Sequence, residues 1–290
     1  MKRATEGLST AEKVGFVVLG IFTAASVFGY WNFVLNPERL PPSPVALRFF
    51  SVSFQFFGQL HIVVAAAALG VLLIRRLGWR WWPAPLAVCA LSFLSEHVGT
   101  GFGFPFGGYA YTGLLGAKLG GRVPALIPVS WFLMALPCWV VAHASTARAG
   151  SRAARLALGA AWLTAWDLAL DPAMSHLTAY WVWEDAGPYY GMPWINLFGW
   201  YATGLALMLA IDVLASRTGL ASLPARPLLA YYLLVLALPL GMLLAAGRWL
   251  AVTVTLVAVA ALGSFSWRLA AARVRTGASR YSTPSPAGAR

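Results

Sequence analysis

Charge is scarce in this chain, and negative charge is scarcer still. Only 10% of the 290 residues are charged, with nine Asp and Glu against 21 Lys and Arg. Together with 60% hydrophobic residues and a mean hydropathy of +0.71, this excludes a soluble globular domain. Cysteine is limited to Cys89 and Cys138, both inside apolar runs. That excludes a disulfide framework or a thiolate metal cluster and leaves two small packing residues. Histidine is limited to His61, His97, His143 and His176, and the HxxxH and HxxHH groupings of membrane di-iron desaturases and hydroxylases are missing. Haem ligation by His61 and His143 is a formal alternative, but lone helical histidines more often pack and hydrogen-bond.

What the chain does have is long apolar runs. A membrane span needs about 20 mainly apolar residues, and eight candidates occur, at roughly 14–35, 49–74, 84–98, 126–146, 154–171, 195–215, 228–246 and 249–267. The expected fold is therefore all-α: a polytopic integral membrane helical bundle of about eight transmembrane helices. The third and fifth runs are short, as tolerated where a helix end points into protein. The first run is span-length and lacks a short core followed by a small-residue cleavage site, so it reads as a retained signal anchor.

The net charge of +12 does not read as nucleic-acid binding, because the basic residues are scattered between apolar runs. Five of the 21 (Arg39, Arg48, Lys118, Arg122 and Arg248) fall on one side of the alternating spans and sixteen on the other. Positive charge concentrates on the cytoplasmic side, which predicts a multi-pass protein of the cytoplasmic membrane with both termini cytoplasmic. Residues 1–272 form the transmembrane domain. Residues 273–290, rich in Ser, Pro, Gly, Ala and Arg, form a basic tail expected to be disordered and to touch anionic lipid. Two outer connections, from Gly99 to Ala125 and from Pro172 to Trp194, mix Gly and Pro with dense aromatics. They are expected to be re-entrant or interfacial loops closing over the bundle, although single aromatics there equally suit a headgroup belt.

Three of the nine acids stand at the ends of apolar runs: Glu96, Asp167 and Asp171. An acid near bilayer depth is costly unless it faces a protein interior, so each is a candidate site residue. Asp167 and Asp171 are four apart and share a helix face, with Pro172 disfavouring helical geometry at Asp171 and so placing that acid at the C-terminal end of the fifth run. Burial, the negative helix end and a neighbouring carboxylate all disfavour a second charge, so this pair is expected to hold a proton. Glu96 closes the third run, followed by His97 and the helix-stopping Gly99. All three acids are expected to converge in the outer half of the membrane. Gln55 and Gln59, in a polar stripe with Ser51, and Asn196, after Pro193, sit at the same level; each alone equally suits a helix-to-helix hydrogen bond.

The GTGFGFPFGG stretch lacks the strand, turn and helix of a phosphate loop; its glycines better suit close backbone approach to a flat apolar ligand. The DxxxD spacing lacks the second acidic motif of a membrane prenyltransferase, so no metal and no cofactor are expected.

With the residues EHVGTGFGFPFGGYAYT at 96–112 and DLALDPAM and YWVWEDAGPYYGMPWINLFGWY within 167–201, the chain resembles the carotenoid biosynthesis membrane proteins that include the carotenoid 1,2-hydratases, of the bisanhydrobacterioruberin, lycopene and γ-carotene hydratase type. The resemblance implies water addition to the acyclic end of a carotenoid without a redox cofactor. The residues fit that chemistry. Protonating the less substituted carbon of a terminal C1–C2 alkene leaves a tertiary cation for water to capture, and a neutral carboxylic acid in a dry site is a suitable donor. Asp167 or Asp171 is the expected donor, with Glu96 in the same site. Trp181, Trp183 or Tyr109 would stabilise the cation, and Asn196, Gln55, Gln59 or His97 would hold substrate or water. The partners expected are carotenoid, water and membrane lipid. Rival readings are a cofactor-free carotenoid or isoprenoid cyclase or isomerase, and a proton-coupled transporter.

Overall fold

The computed structural model describes residues 7–146 and 151–279, with side chains to residue 271. Its helices begin and end where the local chemistry directs. Helix α1 (Thr10–Gly29) opens on a capping box, in which Glu12 N–H donates to Ser9 Oγ and Ser9 N–H to Glu12 Oε2. It continues into a π-helical turn, Tyr30–Val34. Helix α2 (Pro44–Leu77) has Ser43 as cap, Pro44 at its first position and Gly78, at φ 63°, as its stop. Helix α3 (Pro83–Phe102) follows. Helix α4 is Leu126–Thr146, α5 is Arg152–Asp171, α6 is Trp194–Thr218, α7 is Ala225–Ala245 and α8 is Trp249–Ser279.

All eight expected helices form, and six of them are long and apolar enough to cross a membrane. The two outside that set are α3 and α5, which carry the acids. Two boundaries differ from expectation. Helix α8 runs past residue 272 to Ser279, while the rest of the expected tail, 280–290, lies outside the described residues. Helix α3 does not stop at Gly99; it stops at Gly103, which is left-handed at φ 72°. Gly99 is used for close approach, since a Cβ there would lie 2.7 Å from the ring of Phe106.

Helix α4 is the axis of the bundle, buried on nearly every side from Ile127 to Ala142. Around it the largest buried side chains find partners for their polar ends. Tyr231 Oη donates to the Ala65 carbonyl and Tyr232 Oη to the Trp162 carbonyl, both at 3.0 Å, tying α7 to α2 and α5. Two ion pairs show antiparallel packing. Arg76 near the end of α2 reaches Glu12 near the start of α1, and Arg155 near the start of α5 reaches Asp212 in the second half of α6. Cys89 and Cys138 are free.

The two aromatic connections meet over one end of the bundle. Strand β1 (Tyr109–Tyr111) belongs to the α3–α4 connection, where β2 (Lys118–Leu119) and β3 (Val123–Pro124) also form a small hairpin. Strand β4 (Trp181–Trp183) belongs to the α5–α6 connection, which begins with a second π-helical turn, Pro172–His176. Strands β1 and β4 pair antiparallel, with Tyr109 opposite Trp183 and Tyr111 opposite Trp181.

Candidate active site

Alternation along a strand sends every second side chain to one face. In this ribbon Ala110 and Val182 point away from the bundle, and Tyr109, Tyr111, Trp181 and Trp183 point into it. There the four meet the acids. Tyr109 and Tyr111 both donate through their hydroxyls to Glu96 Oε2, the second at 2.8 Å, and Trp131 of α4 donates through Nε1 to Glu96 Oε1 at 2.8 Å. Burial, and then the adjoining Glu96 carboxylate, hold both phenols well above their ordinary pKa, so they remain donors.

Asp171 is met from the other strand. Trp183 Nε1 donates to its Oδ1 at 3.0 Å and Trp181 Nε1 to its Oδ2 at 3.3 Å. Ser175, one turn on, adds its hydroxyl at 2.8 Å. Asn196, at the start of α6, places Nδ2 between the two aspartates, 2.8 Å from Asp167 Oδ2 and 3.4 Å from Asp171 Oδ2. Asp167 is fully enclosed, and its Oδ1 has no hydrogen-bond partner. Among the described residues every donor to these three carboxyls is neutral: phenol, indole, hydroxyl or amide.

Glu96, Asp171, Asn196, Tyr109, Trp181 and Trp183 all line one cavity of about 520 Å³, whose walls are otherwise almost wholly apolar. Phe28 of α1 and Phe49 of α2 also line it and are more than half exposed, so it opens between these two helices. Leu40 and Pro41 of the α1–α2 connection line the same opening. A cavity of this shape suits an apolar ligand met by a few convergent polar groups. Among the described residues no group of three or more His, Cys, Asp or Glu is gathered to hold a metal ion.

The sequence pattern of the family described as carotenoid biosynthesis protein matches residues 57–262. The chain belongs to this family. The bisanhydrobacterioruberin hydratase of Haloarcula japonica is 33% identical over 220 residues, covering 73% of this chain and 71% of that protein. No solved structure matches.

In this family member several expected site residues lie elsewhere. Asp167 is beside the site but behind the cavity wall, joined to it through Asn196. Gln55 and Gln59 are not in the cavity. They line a separate groove on the flank of α2, where Gln59 Nε2 donates to the Leu114 carbonyl. The face of α2 that meets the cavity carries Phe50, Phe54, Phe57 and His61 instead. His97 is also outside. Neighbouring helical residues diverge by about 100°, so as Glu96 turns inward His97 turns toward Phe93 and the β2–β3 hairpin. Conversely, Tyr111, Trp131, Trp166, Trp200 and Ser175 were not singled out by the sequence. For Tyr111 the signal was available, since YAY is a two-residue alternation next to Tyr109.

Proposed function

We propose that this family member is a carotenoid hydratase, adding water to the terminal C1–C2 double bond of an acyclic carotenoid end group to give a tertiary alcohol. The observation that carries the reading is the cavity: two carboxyls, Glu96 and Asp171, held only by neutral donors at the end of an apolar space that opens between α1 and α2. The hydratase name of the Haloarcula japonica relative supports it. A carotenoid end enters between α1 and α2 from the bilayer. The carboxyl group of Asp171 gives its proton to the less substituted alkene carbon. Water adds to the tertiary cation, and its proton returns to a carboxylate, leaving the enzyme unchanged.

The surrounding residues divide the remaining work. Asp167, four residues back and linked through the Asn196 amide, restrains Asp171 and disfavours a second negative charge beside it. Asn196 commits its nitrogen to the aspartates, which leaves its carbonyl oxygen to hold the attacking water. Tyr109, Trp181 and Trp183 hold the two carboxyls apart and keep them aimed at the cavity. Glu96, saturated by three donors, is the negative counter-charge during the cationic stage.

Membranes containing the protein should convert lycopene or γ-carotene anaerobically, without added nicotinamide, flavin or metal, with a mass gain of one water. In labelled water the hydroxyl oxygen should come from solvent, and in heavy water one deuterium should enter the carbon next to the alcohol carbon. Oxygen taken from O₂ would defeat the reading. Deuterium uptake without hydroxyl gain would move the protein to cyclases or isomerases, and coupled uptake in liposomes without a product would make it a transporter. We also propose that the ribbon lies outside the cytoplasmic membrane, with both termini cytoplasmic. A cysteine at the exposed Ala186 position should react with an impermeant thiol reagent in intact cells, and labelling only after lysis would reverse the orientation.

A further inference from the structure

Three tryptophans from three helices form one wall of the cavity: Trp131 of α4, Trp166 of α5 and Trp200 of α6. Trp131 and Trp200 are stacked, with centroids 4.1 Å apart and planes at 22°. Trp166 meets Trp200 at 5.7 Å and 67°, edge to face. The wall is fastened to both carboxyl sites. Trp131 donates to Glu96, and Trp200 lies one helical turn beyond Asn196, the residue that bridges Asp167 and Asp171. All three rings are at least nine-tenths buried.

Two further observations separate Trp166 of this wall from the tryptophans of the ribbon. Trp181 and Trp183 spend their N–H groups on Asp171, which accounts for an indole at each position. Trp166 keeps its buried Nε1–H without a hydrogen-bond partner. A phenyl or aliphatic side chain would avoid that cost, so the position uses the large π surface itself.

A tertiary carbocation has no hydrogen-bonding groups, and a free carboxylate against it would reclaim its proton or trap it as an ester. It needs negative potential without a nucleophile, which the face of an indole supplies. We propose that the Trp131–Trp200–Trp166 wall, and not Trp181 and Trp183, is the surface that stabilises the cation; this rests on the hydratase reading. In the step concerned, the Asp171 O–H bond breaks and the alkene π pair forms the new C–H bond. The cation develops beside the wall, a water lone pair forms the C–O bond, and the water proton passes to the Asp171 carboxylate. No oxidant or reductant enters.

The test is site-specific replacement of each wall tryptophan, in the full-length protein in membranes, by tryptophans bearing one to four fluorines. Fluorine withdraws charge from the ring face with little change of volume, so folding is preserved. With lycopene as substrate, kcat is expected to fall stepwise with fluorine number, to roughly one-thirtieth for the tetrafluoro ring at the most responsive wall position. KM should hold, and the same series at Trp139, which is buried on Asp212 outside the cavity, should be flat. Flat series at all three wall positions, in a protein that hydrates normally before substitution, would overturn the proposal. So would a stepwise fall confined to Trp181 and Trp183. A wild-type protein that adds no water defeats the hydratase reading itself, and this proposal with it.

Discussion

The two ends of the bundle treat buried acids in opposite ways. At the end away from the ribbon, Asp212 accepts from Arg155 at 2.6 Å and Arg152 at 2.8 Å, with Trp139 adding a third donor. Nearby in the fold's architecture, Glu12 accepts from Arg76 at 2.7 Å and 3.0 Å. At the ribbon end, about 24 Å along α5 from Arg155 at 1.5 Å per residue, Asp171 is surrounded by indoles, a hydroxyl and an amide, and Glu96 by phenols and an indole. The difference teaches how one residue type is assigned two kinds of work. A carboxylate matched by a guanidinium is neutralised and fixed, useful for clamping helix ends but unable to release a proton into a ligand. A carboxyl held only by neutral dipoles is oriented without being neutralised, and stays free to exchange a proton.

The sharpest way to break that contrast is Asp171→Asn, which keeps the size and removes the proton. Hydration kcat is expected to fall about 1000-fold, with the amount of protein in the membrane unchanged; activity near wild type would end the role of Asp171 as donor. Glu96→Gln is next, with a loss of about 100-fold expected from the missing counter-charge, read in the same pigment assay. Tyr111→Phe removes one of three donors on Glu96 and should cost about tenfold, the usual worth of a hydrogen bond to a charged group. At the other end Asp212→Asn should leave turnover within about twofold. Its effect should appear as a lower melting temperature in detergent, from about 2 kcal/mol of lost stability. A large fall in kcat there, with stability intact, would show that the two ends are not functionally separate.

Much of this arrangement is legible in the residues, because helices in lipid obey local rules. The apolar runs located all eight helices. The i, i+4 spacing of Asp167 and Asp171 put both acids on the end of α5, but Pro172 does not take Asp171 out of helical geometry: Asp171 is helical at φ −59° and ψ −53°, and the chain runs on into the π-helical turn Pro172–His176. What sequence spacing does not reveal is which face of a helix its neighbours cover. The stripe of Gln55 and Gln59 was real but faced a flank groove, since the apolar stripe from Phe50 to His61 met the cavity. The wall of Trp131, Trp166 and Trp200 had no local sign at all, because it exists only where α4, α5 and α6 pack together. Gly99 read as a helix stop and proved to be a point of close approach for Phe106, two uses of a missing Cβ that a single sequence does not distinguish.

The two-stranded ribbon has a further consequence. Three paired residues set Tyr109 against Trp183 and Tyr111 against Trp181, and these four side chains reach Glu96 on one side and Asp171 on the other. The ribbon is thus a gauge: the gap between the two carboxyls, which on the proposed function admits one alkene end and one water, is measured in strand register as well as in helix packing. Inserting a single residue into either strand would turn Ala110 or Val182 inward and remove two donors from one acid at a stroke. The spacing of the two acids is thereby tied to the pairing of two connections far apart in the sequence, and not to α3 and α5 alone.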